Sequence, residues 1–169
     1  RDHHRDFKNA MKHYTLHWNR FHLELGHRTA IMGIVNITPD SFSDGGQFYS
    51  TEAAVSQAER LVQAGADIVD IGGESTRPYS EGVSAQAEID RVMPVIERLT
   101  TRIGVPISID TNKAAVAEAA LAAGAAIVND ISALQMDDQM AAVAVKYDVP
   151  VILMHMKGRP RTMQIDPVY

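Results

Sequence analysis

The chain has 169 residues, of which 46% are apolar and 22% charged, with a net charge of −5 and no cysteine. That length supports one core of ordinary size, and the balance excludes disordered and fibrous classes. An acidic excess without a sustained basic stripe argues against a nucleic-acid backbone as partner, and the missing cysteines exclude disulfides, thiolate metal sites and cysteine nucleophiles.

The first 29 residues read as an arm. Its start, RDHHRDFKNAMKHYTLHW, lacks the apolar core of a signal peptide, and its histidines have no metal-ligand spacing. Within it, YTLHWNRFHLEL alternates Leu16, Trp18, Phe21 and Leu23 around a polar Asn19-Arg20. Such a segment is either a hairpin covering the bottom of a barrel or an irregular arm.

From residue 30 onward short apolar runs alternate with amphipathic stretches. Strands are expected at 30–36, 67–72, 106–110, 126–130 and 150–155, and helices at 51–64, 85–101, 112–123 and 137–147. Ser50 or Thr51 suits the cap of the first helix, and Thr111 or Asn112 that of the third. Gly65 and Gly124 stand where a helix ends in a left-handed residue. The Ala-rich AAVAEAALAAGAAIV contains Glu118 and reads as helix then strand, not as a membrane span, so a soluble cytoplasmic protein is expected.

Two segments repeat one another, AGADIVD at 64–70 and AGAAIVN at 123–129. In each, a helix closes on glycine and an apolar strand follows, ending on a polar residue. One βα unit used repeatedly implies a parallel sheet covered by helices. Four of the five runs finish on Asn36, Asp110, Asn129 and His155, and Asp70 lies near the end of the other. The carboxyl ends of parallel strands are where α/β folds place their sites.

Two of the strand-end loops are rich in anion-binding chemistry. NITPDSFSDGG (36–46) strings small polar residues into the adjacent Gly45 and Gly46, whose freedom lets amides turn toward an anion. Asn36 at its head offers a carbonyl oxygen to a hard cation or an amide to a phosphate. GGESTRPYSEG (72–82) sets the Ser75 and Thr76 hydroxyls beside the Arg77 guanidinium, a combination suited to phosphate or carboxylate. The bland alternative for both is a solvated connecting loop. Asp110 and Asn129 each either bind a heterocycle's edge or cap the following helix, and the neighbouring Thr111 and Asp130 are placed to take over the capping. Met154 or Met156 suits a flat ligand face, though methionine usually fills core, and His155 alone reads as a buried histidine.

Taken together, NITPDSFSDGG (36–46), GGESTRP (72–78), SIDT (108–111), NDI (129–131) and LMHM (153–156) resemble the dihydropteroate synthase family, in order and each at a strand end. The first two motifs are highly specific, and the likeness runs from about residue 30 to 164. It implies a (β/α)8 TIM barrel, with about five βα units in this chain, residues 30–169 forming the N-terminal portion of one pterin-binding domain. The implied reaction joins 4-aminobenzoate to 6-hydroxymethyl-7,8-dihydropterin diphosphate, giving 7,8-dihydropteroate and diphosphate for folate synthesis, in an enzyme targeted by sulfonamides. By the same resemblance Asn36 meets the diphosphate and its Mg²⁺, and Thr76 and Arg77 belong to a loop closing over the diphosphate and the aminobenzoate site. Phe42 packs on the aminobenzoate ring and Asp44 holds Arg77. Asp110 and Asn129 bind the pterin edge, with Ile131 and Met154 against its face. Asn36, Arg77 and Asp110 are thus the expected catalytic residues, in an enzyme that is a homodimer when complete.

A full barrel takes roughly 250 residues, and only five strands are expected here. The family pattern continues with a sixth-strand Asp, a Lys in a Ser-Arg-Lys loop and a late Arg-x-His, none of which has a counterpart in these residues. The chain by itself is therefore not expected to turn over substrate. Two other readings compete: a related methyltransferase using methyltetrahydrofolate and a corrinoid partner, and a non-catalytic pterin-binding half barrel. The loops around SDGG and STRP speak against the first, because a methyl donor brings no diphosphate to hold.

Overall fold

The computed structural model describes residues 12–37, 46–74 and 82–154, with the backbone alone for 46–50. A two-stranded antiparallel hairpin comes first, β1 (Tyr14–Trp18) and β2 (Phe21–Leu25). The remaining strands are β3 (Met32–Asn36), β4 (Ile68–Gly72), β5 (Ile107–Asp110), β6 (Ile127–Asp130) and β7 (Val151–Leu153). They form one parallel sheet in the order β3-β4-β5-β6-β7. Between them run α1 (Gly46–Gln63), α2 (Ala85–Leu99), α3 (Ala114–Ala122) and α4 (Met140–Tyr147). A strand order without reversal is the winding of a (β/α)8 barrel; doubly wound folds reverse direction at a switch point.

Alternation along the strands builds the core. Val35, Ile71, Ile109 and Val128 all point to the helix-covered face and are fully buried there. Facing them, α1 offers Ala54, Val55 and Ala58, and α2 offers Val92, Val95, Ile96 and Leu99, apolar residues at helical spacing. On α3 the buried residues are mostly alanines, which allow close approach to α2. The same economy appears at Gly33, where an added Cβ would stand 3.1 Å from the Leu61 side chain.

The hairpin closes the amino-terminal mouth of the sheet, as one of the two readings of the arm anticipates. Its register pairs Leu16 with Leu23 and Trp18 with Phe21 across a turn opened by Asn19 at φ 47°. Trp18 packs with Ile68, Ala126 and Ile127, at the starts of β4 and β6, and its indole Nε1 donates to the Ala126 carbonyl at 2.8 Å. Arg28, just beyond the hairpin, pairs with Asp67, whose carboxylate also accepts from the Ile31 amide at 2.9 Å.

Strand positions agree with the sequence reading to within two residues, and so do the starts of α2 and α3, whereas α1 begins five residues early and α4 three residues late. The first helix begins at Gly46, five residues before the expected start, so Ser50 and Thr51 lie inside it and cannot cap it. The third begins at Ala114 with Lys113 as its N-cap residue, and neither Thr111 nor Asn112 occupies the cap position. Its first amide is satisfied from a distance: Ala114 N donates to Asp137 Oδ2 at 2.7 Å. A cap supplied 23 residues downstream leaves no local signature. Gly65 and Gly124 do take left-handed φ values, 101° and 110°. Among the described residues no helix is long and apolar enough to cross a membrane.

Candidate active site

Four strand ends form a single row. The register pairs Asn36 with Gly72, Gly72 with Asp110, and Asp110 with Asn129, and Ile152 of β7 follows Asn129. Paired residues on neighbouring strands share a face, here the face opposite the helices. Gly72 matters because of what it leaves out. A Cβ there would stand 3.2 Å from Asn36 Oδ1 and 3.4 Å from Asp110 Oδ2, so an amide oxygen and a carboxylate oxygen approach the same small space from either side.

One layer deeper on this face the register sets Ile34 beside Asp70 and Asp70 beside Ser108. Asp70 is 2% exposed, and its Oδ2 accepts from Asn129 Nδ2 at 3.1 Å. Asp70 Oδ1, Asp110 Oδ1 and the Ser108 hydroxyl are buried and have no well-formed hydrogen bond among the described residues. Ser108 therefore lies beside Asp70 without the alignment of a hydrogen bond, although its dipole favours the ionised carboxylate.

So many carboxylates in so little space perturb one another. Burial pushes the Asp110 carboxyl up to about 7, and the negative charges of Asp70, Glu88, Asp130 and Glu74 add to the rise. Burial also raises Asp70, against the pull of the Ser108 and Asn129 side chains. One cation answers part of this charge. Lys113, three residues past Asp110, donates to Glu88 Oε2 at 2.7 Å and to Glu74 Oε2. Burial lowers the Lys113 ammonium, and the two carboxylates more than offset it. Glu88 itself is completely buried on α2.

These contacts also fix the end of β4. Arg91 Nη1 donates to the Gly73 carbonyl at 2.8 Å, and Gly73 lies so close to α2 that a Cβ would meet Val92 Cγ1 at 2.8 Å. Ile37 N donates to the Gly72 carbonyl at 2.7 Å, tying the exits of β3 and β4 together.

The helix-cap alternatives are decided by these contacts. Thr111 Oγ1 accepts from Lys113 N at 3.2 Å, which leaves the Asp110 carboxylate uncommitted to the backbone. Asp130 accepts from Ser132 N at 2.8 Å and Leu134 N at 2.9 Å, folding a turn in which Ala133 and Leu134 take left-handed φ values of 53° and 65°. Asn129 is free of that task and faces the row. Asn36, Asp110 and Asn129 are thus brought together. Ile131 is buried in the turn after β6, and Met154, one residue past β7, continues the alternation that sets Ile152 on the Asn129 side. Phe42, Asp44, Thr76, Arg77 and His155 lie outside the described residues. Glu88 and Lys113 carry no signal of their own in the sequence, and Asp70 figures there only as the polar residue near the end of its run. The available signal for Asp70 was its spacing of two from Gly72, which places both on one face of the strand.

Residues 32–169 match the family described as pterin binding enzyme. The chain is 53% identical over 139 residues to a dihydropteroate synthase of Synechocystis, covering 82% of this chain and 48% of that protein. Among solved structures it is similar to the Yersinia pestis dihydropteroate synthase in a sulfonamide drug complex, at 47% identity and a TM-score of 0.81, covering 92% of this chain and 56% of that one. It is also similar to the Xanthomonas albilineans dihydropteroate synthase with 4-aminobenzoic acid, at 50% identity and a TM-score of 0.76, covering 81% and 50%. The fold is that of these TIM-barrel enzymes, and the chain spans about half the length of the relatives it matches.

Proposed function

The chain belongs to the pterin-binding enzyme family, and from that premise we propose that it supplies part of the active site of a dihydropteroate synthase. This transferase joins 4-aminobenzoate to 6-hydroxymethyl-7,8-dihydropterin diphosphate and releases diphosphate. The observation that carries the reading is the row Asn36–Gly72–Asp110–Asn129, in which polar groups converge at neighbouring strand ends around a position that has no side chain.

In this reading Asp110 accepts from the N–H groups of the pterin ring and Asn129 binds the same edge, with Ile131 and Met154 against the ring face. The bond between the exocyclic methylene carbon and the diphosphate oxygen breaks, the electron pair leaving with the diphosphate. The neutral amine of 4-aminobenzoate attacks the delocalised cation, forms the new C–N bond and then loses a proton. Such a reaction needs stabilisation of the leaving group more than a strong base, and one well-aimed donor is worth roughly 3–4 kcal/mol. Thr76 and Arg77 are assigned that donor role, with Phe42 on the aminobenzoate ring and Asp44 holding Arg77; for these four the motif match is the support.

The donor set at the β3 end suits a hard divalent cation. Asn36 offers an amide oxygen, Asp110 lies close by, and Mg²⁺ is commonly held by few protein ligands together with phosphate oxygens. Asn36 is the residue assigned to hold it, and when bound the ion neutralises charge developing on the departing diphosphate. The proposal extends to a complete enzyme that works in the cytoplasm as a homodimer, for which the family resemblance is the support.

The test is diphosphate release by the full-length protein, followed with and without Mg²⁺ and 4-aminobenzoate. Release that requires both, with dihydropteroate as product, is expected. Binding of the pterin diphosphate without product would instead identify a non-catalytic binding module. Transfer of a methyl group from methyltetrahydrofolate to a corrinoid would identify the methyltransferase.

A further inference from the structure

We propose that Asp70 is a positioning residue for the pterin subsite: from the layer beneath, it holds the Asn129 amide nitrogen and so fixes which end of that amide faces the ligand. The inference rests on the pterin-binding reading of the row above it.

Asp70 is anomalous as a structural residue. It occupies a central strand, is 2% exposed, and no ion pair holds it among the described residues. Of its two carboxylate oxygens, Oδ2 meets Asn129 Nδ2 at 3.1 Å while Oδ1 has no partner, and the neighbouring Ser108 hydroxyl has none either. Burying a carboxylate on these terms is unfavourable, and an apolar or amide side chain of similar size would pack there at less expense in stability. The layer on the other side of the same strand shows what the fold prefers, since Val69 and Ile71 are fully buried and apolar.

What Asp70 provides is a one-way constraint. A primary amide presents a donor end and an acceptor end of nearly identical shape, so an unconstrained Asn129 could turn over and exchange them. An ionised carboxylate only accepts. With Asp70 below, Nδ2 must point down, and Oδ1 is held toward the row. Asp110 stands beside it in register, with Oδ1 uncommitted. The site therefore meets a ligand with two acceptors side by side, the complement of a ring edge bearing N–H groups. Substituting the amide of Asn for the Asp70 carboxylate keeps the volume and removes the constraint, because an amide can satisfy either end of its neighbour.

Calorimetry of the full-length protein with 6-hydroxymethyl-7,8-dihydropterin diphosphate, together with its melting temperature, tests this. Asp70→Asn is expected to weaken binding at least tenfold while the melting temperature stays level or rises. KM for the pterin should rise, and KM for 4-aminobenzoate should not. A pterin affinity within threefold of wild type overturns the proposal, and so does a loss of affinity that only accompanies a fall in melting temperature. Should Asp70→Asn fail to fold, Asp70→Ser carries the same expectations, and two unfolded variants would mark the residue as structural and overturn it. Wild-type protein that does not bind the pterin overturns the functional reading itself, whereas binding that survives the substitution overturns only this inference.

Discussion

Lys113 stands between two carboxylates that come from different elements, Glu74 at the exit of β4 and Glu88 on α2. Glu88 is 0% exposed, so removing its cation strands a buried charge. Lys113→Met is expected to destabilise the full-length protein by about 3 kcal/mol in urea unfolding. Adding Glu88→Gln should return much of that loss; a double variant no more stable than the single one would show that Glu88 is not the stranded group. Asp110 behaves differently, because its carboxyl is raised to about 7 and the folded protein holds the proton that the unfolded chain releases near its ordinary value. The stability this proton contributes is fully present below about pH 4 and disappears as pH rises through about 7. The stability of Asp110→Asn relative to wild type should therefore be greater at pH 8 than at pH 5 in ligand-free denaturation, and equal differences at the two pH values would sink the assignment. At this scale Asn36, Asp110 and Asn129 were legible, because a polar residue closing an apolar run has few structural reasons to be there. Glu88 and Lys113 were not, since their link spans 25 residues and either one alone reads as a solvated helix residue.

The hairpin is the element whose role was least determined by its sequence and is best explained by its packing. Its pattern was compatible with an irregular arm, and nothing local announces that Trp18 will meet a carbonyl 108 residues away. Strands were read well because near-continuous apolar runs must be buried on both faces. Helix starts were read less well: the glycine at the head of α1 mimics a loop, and α3 borrows its cap from Asp137. The hairpin's contribution can be measured in two steps. Trp18→Ala removes the plug from the starts of β4 and β6 and should destabilise by about 3–5 kcal/mol. Trp18→Phe keeps most of the packing but leaves the Ala126 carbonyl without its donor, a loss of about 1–3 kcal/mol. Chemical denaturation of both variants checks the order, and a Phe variant as unstable as the Ala variant would place the whole effect in the indole hydrogen bond.

For the molecule as a whole the decisive fact is where the sheet stops. β3 and β7 are its edges, and neither outer side has a strand partner among the described residues. On edge strand β3 Ile34, on the face opposite the helices, is 53% exposed, whereas the equivalent interior of a closed barrel is filled by side chains, and on β7 Leu153, on the helix side, is 54% exposed. Unpaired parallel edges beside exposed apolar side chains are templates for association. A polypeptide of these 169 residues alone is accordingly expected to elute above its 18.5 kDa mass by light scattering. The relatives it matches are about twice as long, so a polypeptide of these residues alone would lack whatever the rest of a barrel adds at the strand ends. On the proposed function, since each lost donor to a developing charge lowers turnover by roughly 10²–10³, dihydropteroate formation by these residues alone should fall at least that far below that of a complete barrel. Asn36 on β3, Asp110 on β5 and Asn129 on β6 are nonetheless all present in one sheet, so on the proposed function these residues alone should keep more of the pterin binding than of the turnover. A monodisperse 18.5 kDa species that made product at the full-length rate would show that five strands suffice to build the site, and the dependence on the rest of a barrel would have to be abandoned.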